Sequence, residues 1–189
     1  AIFTMSASFH VRGDQGIEHQ DRMPPAPPAD DLPDQMAVID DESKSVLKEW
    51  QNFDIRVVPT DQLITSDYLV AQQRVWFRYR HRLPDDQVFH VCTLAYMSDM
   101  TLLGSSKVPH PGVEPQAASL DHAMWFLRPF RADEWLLYDQ TSPSADAGRA
   151  LTQGRIFDTG GRMVAAVTQE GLARTGREMP ADQHARRKG

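Results

Sequence analysis

The stretch "DDQVFHVCTLAYMSDMTLLG", residues 85–104, decides the fold. Asp85 or Asp86 can cap a helix start by accepting from a backbone N–H, and Gly104 can end the helix. Val88, Phe89, Val91, Cys92, Leu94, Ala95, Tyr96, Met100, Leu102 and Leu103 cover most of the helical circumference. A helix that is apolar nearly all round predicts burial nearly all round. Some other part of the chain must therefore wrap it.

The flanking segments supply strands. "FDIRVVP" at 53–59 is a β-branched run stopped by Pro59. "QRVWFRYRHRL" at 73–83 alternates Val75, Phe77, Tyr79 and His81 with Arg74, Trp76, Arg78 and Arg80, a half-exposed strand with arginines on its outer face. Further strands are expected at 119–127, 134–141, 148–158 and 161–174, with "DTGG" at 158–161 as a tight hairpin turn. Residues 36–50 hold one or two helical turns. One long helix enclosed by a strongly curved antiparallel sheet satisfies this inventory, which predicts an α+β hotdog fold.

Upstream, "AIFTMSASFH" reads as a strand over 1–11, and "RGDQGIEHQDRMPPAPPADDLP" reads as an exposed connection rich in Pro, Asp and Gly. There is no initiator Met, and "AIFTMSASF" faintly echoes "RMVAAVTQEG" in the last strand. The expectation is the C-terminal half of a double hotdog. Residues 1–23 would be the last strand and exit of a truncated N-terminal hotdog and 24–52 a linker; 53–178 would be the C-terminal hotdog and 179–189 a tail.

Bulk properties exclude several function classes. The 189 residues are 41% apolar and 24% charged, with a net charge of −6 and a pI near 5.6. An acidic chain without a basic block is a poor ligand for nucleic acid. No apolar run approaches the ~18 residues of a membrane span. The single Cys92 precludes an internal disulfide, a zinc ribbon and a CxxC redox site, and fits a reducing cytoplasm.

"SLDH" at 119–122 places Ser119, Asp121 and His122 close together, like a compressed serine-hydrolase triad. In a regular strand 119 and 121 share a face while 122 points away, and no G-x-S-x-G elbow is present. Polar residues on apolar faces are stronger candidates. Asp99 lies in line with Cys92, Ala95, Tyr96, Leu102 and Leu103 at spacings of three, four and seven. Gln169 interrupts the strand face of Met163, Ala165 and Val167. Ser119 opens its strand. Each also has a purely structural reading: a satisfied helix-end carboxylate, a strand-end amide bonded to backbone, and a commonplace strand-start serine.

"SLDHAMWFLRPFRADEWLLYDQTSPSADAGRALTQGRIF" and "GRMVAAVTQEGLAR" together resemble the C-terminal half of the acyl-CoA thioesterase II family. "AYMSDMTLL" is similar to that family's helix motif, and "ASFHV…IEHQDRMP" to the end of its first hotdog and the linker beyond it. The resemblance implies a double hotdog that hydrolyses acyl-CoA to fatty acid and CoA without metal or cofactor. Its catalytic group falls on Asp99, Ser119 and Gln169, with Asp121 and His122 in support. It also implies a homo-oligomer, and pairing with the missing N-terminal hotdog half or another copy of the chain. The loop "GSSKVPHPGVEPQAA" is shorter than the family's.

On this reading Asp99 is the general base on a water that Ser119 and Gln169 hold. Met97, Met100, Met124, Trp125 and Phe126 are candidates for an acyl tunnel, with core packing as the alternative for most of them. Arg128, Arg131 and Arg149 are candidates for the CoA phosphates, with solvated surface as the alternative. A hotdog dehydratase would pair a helix His with an acid. His90, however, is nine residues before Asp99, about 13 Å along the axis at 1.5 Å per residue. A non-catalytic acyl-CoA binding or assembly module is the remaining alternative.

Overall fold

A computed structural model describes residues 4–176 apart from 12, 14, 40–43, 45 and 46. Its strands are β1 (Phe53–Val57), β2 (Gln72–Tyr79), β3 (Gln116–Ser119), β4 (Ala123–Phe126), β5 (Leu136–Asp146), β6 (Arg149–Asp158) and β7 (Met163–Arg174). They form one sheet in the order β1-β2-β5-β6-β7-β3, all pairs antiparallel, and β4 shares the outer edge of β7 with β3. Of the expected strand 119–127 only β4 forms within it: β3 lies upstream and ends at Ser119, the residue expected to open the strand. The expected DTGG turn joins β6 to β7: Gly161, at φ +78°, donates its N–H to the Asp158 carbonyl at 2.9 Å, and Asp158 Oδ1 accepts from Arg162 N.

A single turn, α1 (Gln35–Val38), precedes β1, and a long helix, α2 (Gln87–Asp99), lies between β2 and β3. Asp86 caps α2, its carboxylate accepting from Val88 N at 3.0 Å. The helix stops at Asp99, short of Gly104. Thr101 leaves helical geometry, its hydroxyl accepts from Gln140 Nε2 at 2.6 Å, and the chain continues through Gly104 as 3-10 turns over Leu102–Lys107. That side-chain tether, rather than a glycine cap, sets the helix end.

The inward face of α2, carrying His90, Leu94, Met97 and Ser98, seats in the concave side of the sheet. Leu94 and Met97 join Ile55, Val75, Phe77, Tyr138, Ile156 and Val167 in the main core. This is the hotdog arrangement. The helix is not buried all round: Val88, Phe89 and Tyr96 are 53%, 46% and 45% exposed, and Cys92 is exposed too. One curled sheet encloses only one side of a helix, so the other side carries its apolar residues outward.

Of the expected strand 1–11, residues 4–11 are described and are not a strand; their Met5, Phe9 and Val11 are exposed. The expected tail, 179–189, lies outside the described residues. The Pro-rich segment that follows is exposed as far as residue 22, as expected, but beyond it the chain packs as a strap on the convex face of the sheet, with Ala29 and Leu32 buried. Gln20 clasps the β6–β7 turn, donating to the Gly161 carbonyl at 2.8 Å and accepting from Met163 N at 3.0 Å. The Pro27 carbonyl accepts from Trp76 Nε1 at 2.8 Å and the Leu32 carbonyl from Arg56 at 3.0 Å.

Under this strap Ala29, Leu32, Val58, Trp76, Leu137 and Phe157 form a second core. The outer face of β2 is therefore largely covered, contrary to the expectation of exposed arginines. Arg74 is buried and pairs with Asp139 at 3.0 Å, which also pairs with Arg155 at 2.6 Å. Prolines offer no N–H, but their carbonyls are free to accept, and the buried guanidinium and indole use them. Among the described residues no helix is long and apolar enough to cross a membrane.

Candidate active site

The site lies where the edge of β7 is shared. β3 ends with Ser119 opposite Gly171, and β4 begins with Ala123 opposite Thr168. Between those pairs, residues 120–122 face only 169–170, so the edge carries one extra residue, a β-bulge. Leu120 N and Asp121 N both donate to the Glu170 carbonyl, at 2.9 and 3.3 Å.

The extra residue shifts the alternation of side chains. Ser119 and His122 both reach the C-terminal end of α2, while Asp121 turns back so that its Oδ1 accepts from Glu170 N at 2.9 Å. The sequence expectation for a regular strand, with 119 and 121 together and 122 opposed, is corrected by this bulge.

At the end of α2 three residues from three elements converge. The Ser119 hydroxyl donates to Asp99 Oδ1 at 3.0 Å. Gln169 Nε2 donates to the same oxygen at 2.5 Å and to Ser119 Oγ at 2.6 Å. Gln169 is fully buried, whereas the Asp99 side chain is 54% exposed. The part of the stripe on α2, with Cys92, Ala95 and Tyr96, thus faces outward, whereas Leu102 beyond the helix end is in the core. Both donors converge on Oδ1, and among the described residues no hydrogen bond to Asp99 Oδ2 accompanies them.

Two glycines make this packing possible. A Cβ on Gly171, in "QEG", would stand 2.6 Å from Leu103 and 3.2 Å from the Ala118 carbonyl. A Cβ on Gly154 would stand 2.2 Å from the ring of Tyr138. Tyr138 lies beneath the site and donates its hydroxyl to the Ser98 carbonyl at 3.1 Å. Burial, with the charge of Asp99 adding to it, holds its phenol well above the ordinary range, so it stays a neutral donor. Tyr96, on the outward face, donates to Glu49 at 2.9 Å; burial first and Glu49 second raise its phenol as well.

The candidate substrate residues divide by position. Met97 is core, and Met100 and Met124 are half-buried against it. Trp125 is 54% exposed, and Phe126 stacks on Phe130 with centroids 6.3 Å apart. Arg128 donates to the Met163 carbonyl at 2.7 Å, Arg131 is bound to Asp133 and Asp85, and Arg149 pairs with Glu170 at 3.1 Å. His90 is buried away from Asp99, its Nδ1 accepting from Ala132 N at 3.1 Å. The link from His122 to Ser98 has no signal in the sequence, because periodicity does not encode a one-residue bulge.

Residues 45–172 match the family model described as acyl-CoA thioesterase. The chain is 35% identical to acyl-coenzyme A thioesterase 8 of Mus musculus over 92% of its own length and 59% of the relative's. It is 31% identical to acyl-CoA thioesterase 2 of Haemophilus influenzae over 92% of its own length and 64% of that protein's. A crystal structure of an acyl-CoA thioesterase II from Mycobacterium marinum superposes with a TM-score of 0.77 at 55% identity, over 87% of this chain and 60% of that one. A hot dog fold protein from Alicyclobacillus acidocaldarius shares the fold at 17% identity and a TM-score of 0.65. The chain thus spans 59% to 64% of the length of these two curated relatives.

Proposed function

The chain belongs to the acyl-CoA thioesterase family, and from that premise we propose that it hydrolyses acyl-CoA thioesters, with Asp99 as general base and Ser119 and Gln169 as its partners. The observation that carries this reading is the contact of one carboxylate oxygen with both the Ser119 hydroxyl and the Gln169 amide. Asp99 Oδ2 accepts a proton from a water while that water attacks the thioester carbonyl carbon. The tetrahedral intermediate collapses with cleavage of the C–S bond. The proton held on Asp99 passes to the departing thiolate, giving fatty acid and CoA. Holding the base at a fixed angle supplies orientation, and base catalysis adds about 10²–10⁴-fold. Ser119 already donates to the carboxylate and accepts from Gln169, so it acts as a positioning hydroxyl rather than a nucleophile.

Met100, Met124, Trp125 and Phe126 line the acyl path on this reading, and Arg149 and Arg128 face the CoA phosphates. The outward face of α2, with Val88, Phe89 and Tyr96, receives a second hotdog unit, from the same polypeptide or another copy, as a homo-oligomer would provide. The test is thiol release from decanoyl-CoA by the intact protein. Asp99→Ala lowers kcat by at least about 10²-fold; release at the wild-type rate would contradict the assignment.

A further inference from the structure

Ser98 and Asp99 are consecutive on α2 and face opposite ways: Ser98 is fully buried and Asp99 looks outward. His122, in the bulge, spans both. Its Nε2 lies 2.8 Å from Ser98 Oγ, and its Nδ1 lies 3.9 Å from Asp99 Oδ1, the oxygen that Ser119 and Gln169 hold. That Nδ1 is buried and has no hydrogen-bond partner among the described residues.

The protons of this chain can be followed. Ser98 has one hydroxyl proton and three neighbours that could accept it: the Ala95 carbonyl at 2.8 Å, Met124 Sδ at 3.1 Å and His122 Nε2. If the proton goes to Ala95 or to Met124, Nε2 must donate to Ser98. A neutral ring would then aim a bare Nδ1 lone pair at a carboxylate oxygen with no donor between them, which is costly and repulsive. The two remaining arrangements are an imidazolium, or a neutral ring that accepts the Ser98 proton at Nε2. Both put a proton on Nδ1.

We propose that His122 is a positioning residue for Asp99: the buried Ser98 hydroxyl anchors its Nε2, and its Nδ1–H faces the Asp99 carboxylate beside the Ser119 and Gln169 donors. The order carboxylate, imidazole, hydroxyl looks like a serine-hydrolase triad, but here the hydroxyl is the buried end. Ser98 is sealed in the core under Tyr138, so the chain runs inward from the reacting group and serves to orient it. The bulge is what brings the ring there; in a regular strand His122 would point away. This proposal rests on the reading of Asp99 as the base.

Four variants of the intact protein test it, with decanoyl-CoA as the probe and thermal unfolding as the folding check. His122→Ala lowers kcat roughly 10- to 100-fold with KM changed less than about twofold, as for a reacting group set slightly out of line. His122→Asn keeps an N–H near the Nδ1 position and restores kcat to within a few-fold of wild type. His122→Gln keeps an amide near the Nε2 position, within reach of Ser98, and does not restore it. Ser98→Ala, which removes the anchor, lowers kcat less than His122→Ala does. If Gln restores activity and Asn does not, the ring is only a packing strut and the proposal fails. It fails equally if His122→Ala keeps wild-type kcat. Where His122→Ala does not fold, the contrast between Asn and Gln still decides. Asp99→Asn is assayed in parallel: its inactivity beside fully active His122 variants overturns this inference alone, whereas its full activity overturns the hydrolytic reading as well.

Discussion

Ser119 and His122 are three positions apart in sequence, yet they approach the same oxygen of Asp99, at 3.0 and 3.9 Å. A regular strand would set them on opposite faces. The bulge opposite Gln169 and Glu170 brings them together, and Asp121 is the residue that closes it.

The bulge therefore has a testable bolt. Asp121→Ala leaves Glu170 N without its side-chain acceptor at 2.9 Å. The expected result is a loss of about 1 kcal/mol in unfolding free energy together with a drop in kcat, since Ser119 and His122 flank the loosened segment. Asp121→Asn retains an acceptor oxygen and recovers both. Denaturant unfolding and steady-state thiol release check the pair.

Gly171 and Gly154 separate site geometry from global stability. Gly171→Ala places a methyl against Leu103 and the Ala118 carbonyl, next to Ser119, and lowers kcat. Gly154→Ala forces the buried ring of Tyr138 to move, with a stability loss of roughly 1–3 kcal/mol. Thermal unfolding and kcat measured on both variants check the contrast.

The Arg131–Asp133 contact sets an acid limit on stability. Burial raises the Asp133 carboxyl, but the Arg131 guanidinium and the Leu83 N–H outweigh it and bring the pKa down to about 2. An unfolded Asp titrates near 3.9. The folded state is thus favoured above the unfolded value, on the order of 2 kcal/mol, and that preference is lost as pH falls from about 4 to 2. The difference in unfolding free energy between wild type and Asp133→Asn stays level from pH 7 to about 5 and shrinks below about 4, as a pH series of urea melts would record.

Arg149 and Arg128 differ in their distance from the site along the sheet. Arg149 pairs with Leu172, one residue beyond the Gly171 that faces Ser119, whereas Arg128 follows β4 beyond Phe126 and Ala165. Arg149→Ala raises KM for acyl-CoA several-fold, more at low ionic strength than at high, with little change in kcat. Arg128→Ala changes KM less. Initial-rate kinetics at two salt concentrations distinguish them.

Much of this was legible in the sequence. A β-branched run stopped by Pro59 marks β1, alternation marks β2, the DTGG turn marks the β6–β7 hairpin, and the apolar run of 85–104 marks α2. Asp99 and Gln169 stood out as polar interruptions of apolar faces. Three features were hidden for physical reasons. The end of α2 depends on a hydrogen bond from Gln140, 39 residues away, to Thr101. The strap over the convex face is held by proline and leucine carbonyls, which composition does not advertise. The bulge depends on one residue of register, which strand alternation does not carry, so alternation alone sets His122 on the face away from Ser119.

On the proposed mechanism Asp99, Ser119 and Gln169 act as one unit on one water. A mutant cycle on kcat tests it most directly. Ser119→Ala and Gln169→Ala each slow thiol release in the wild-type background, and each costs almost nothing more once Asp99→Asn is present, because the group they position is gone. Effects that multiply fully in the Asp99→Asn background, or an Asp99→Asn enzyme with wild-type kcat, would contradict it.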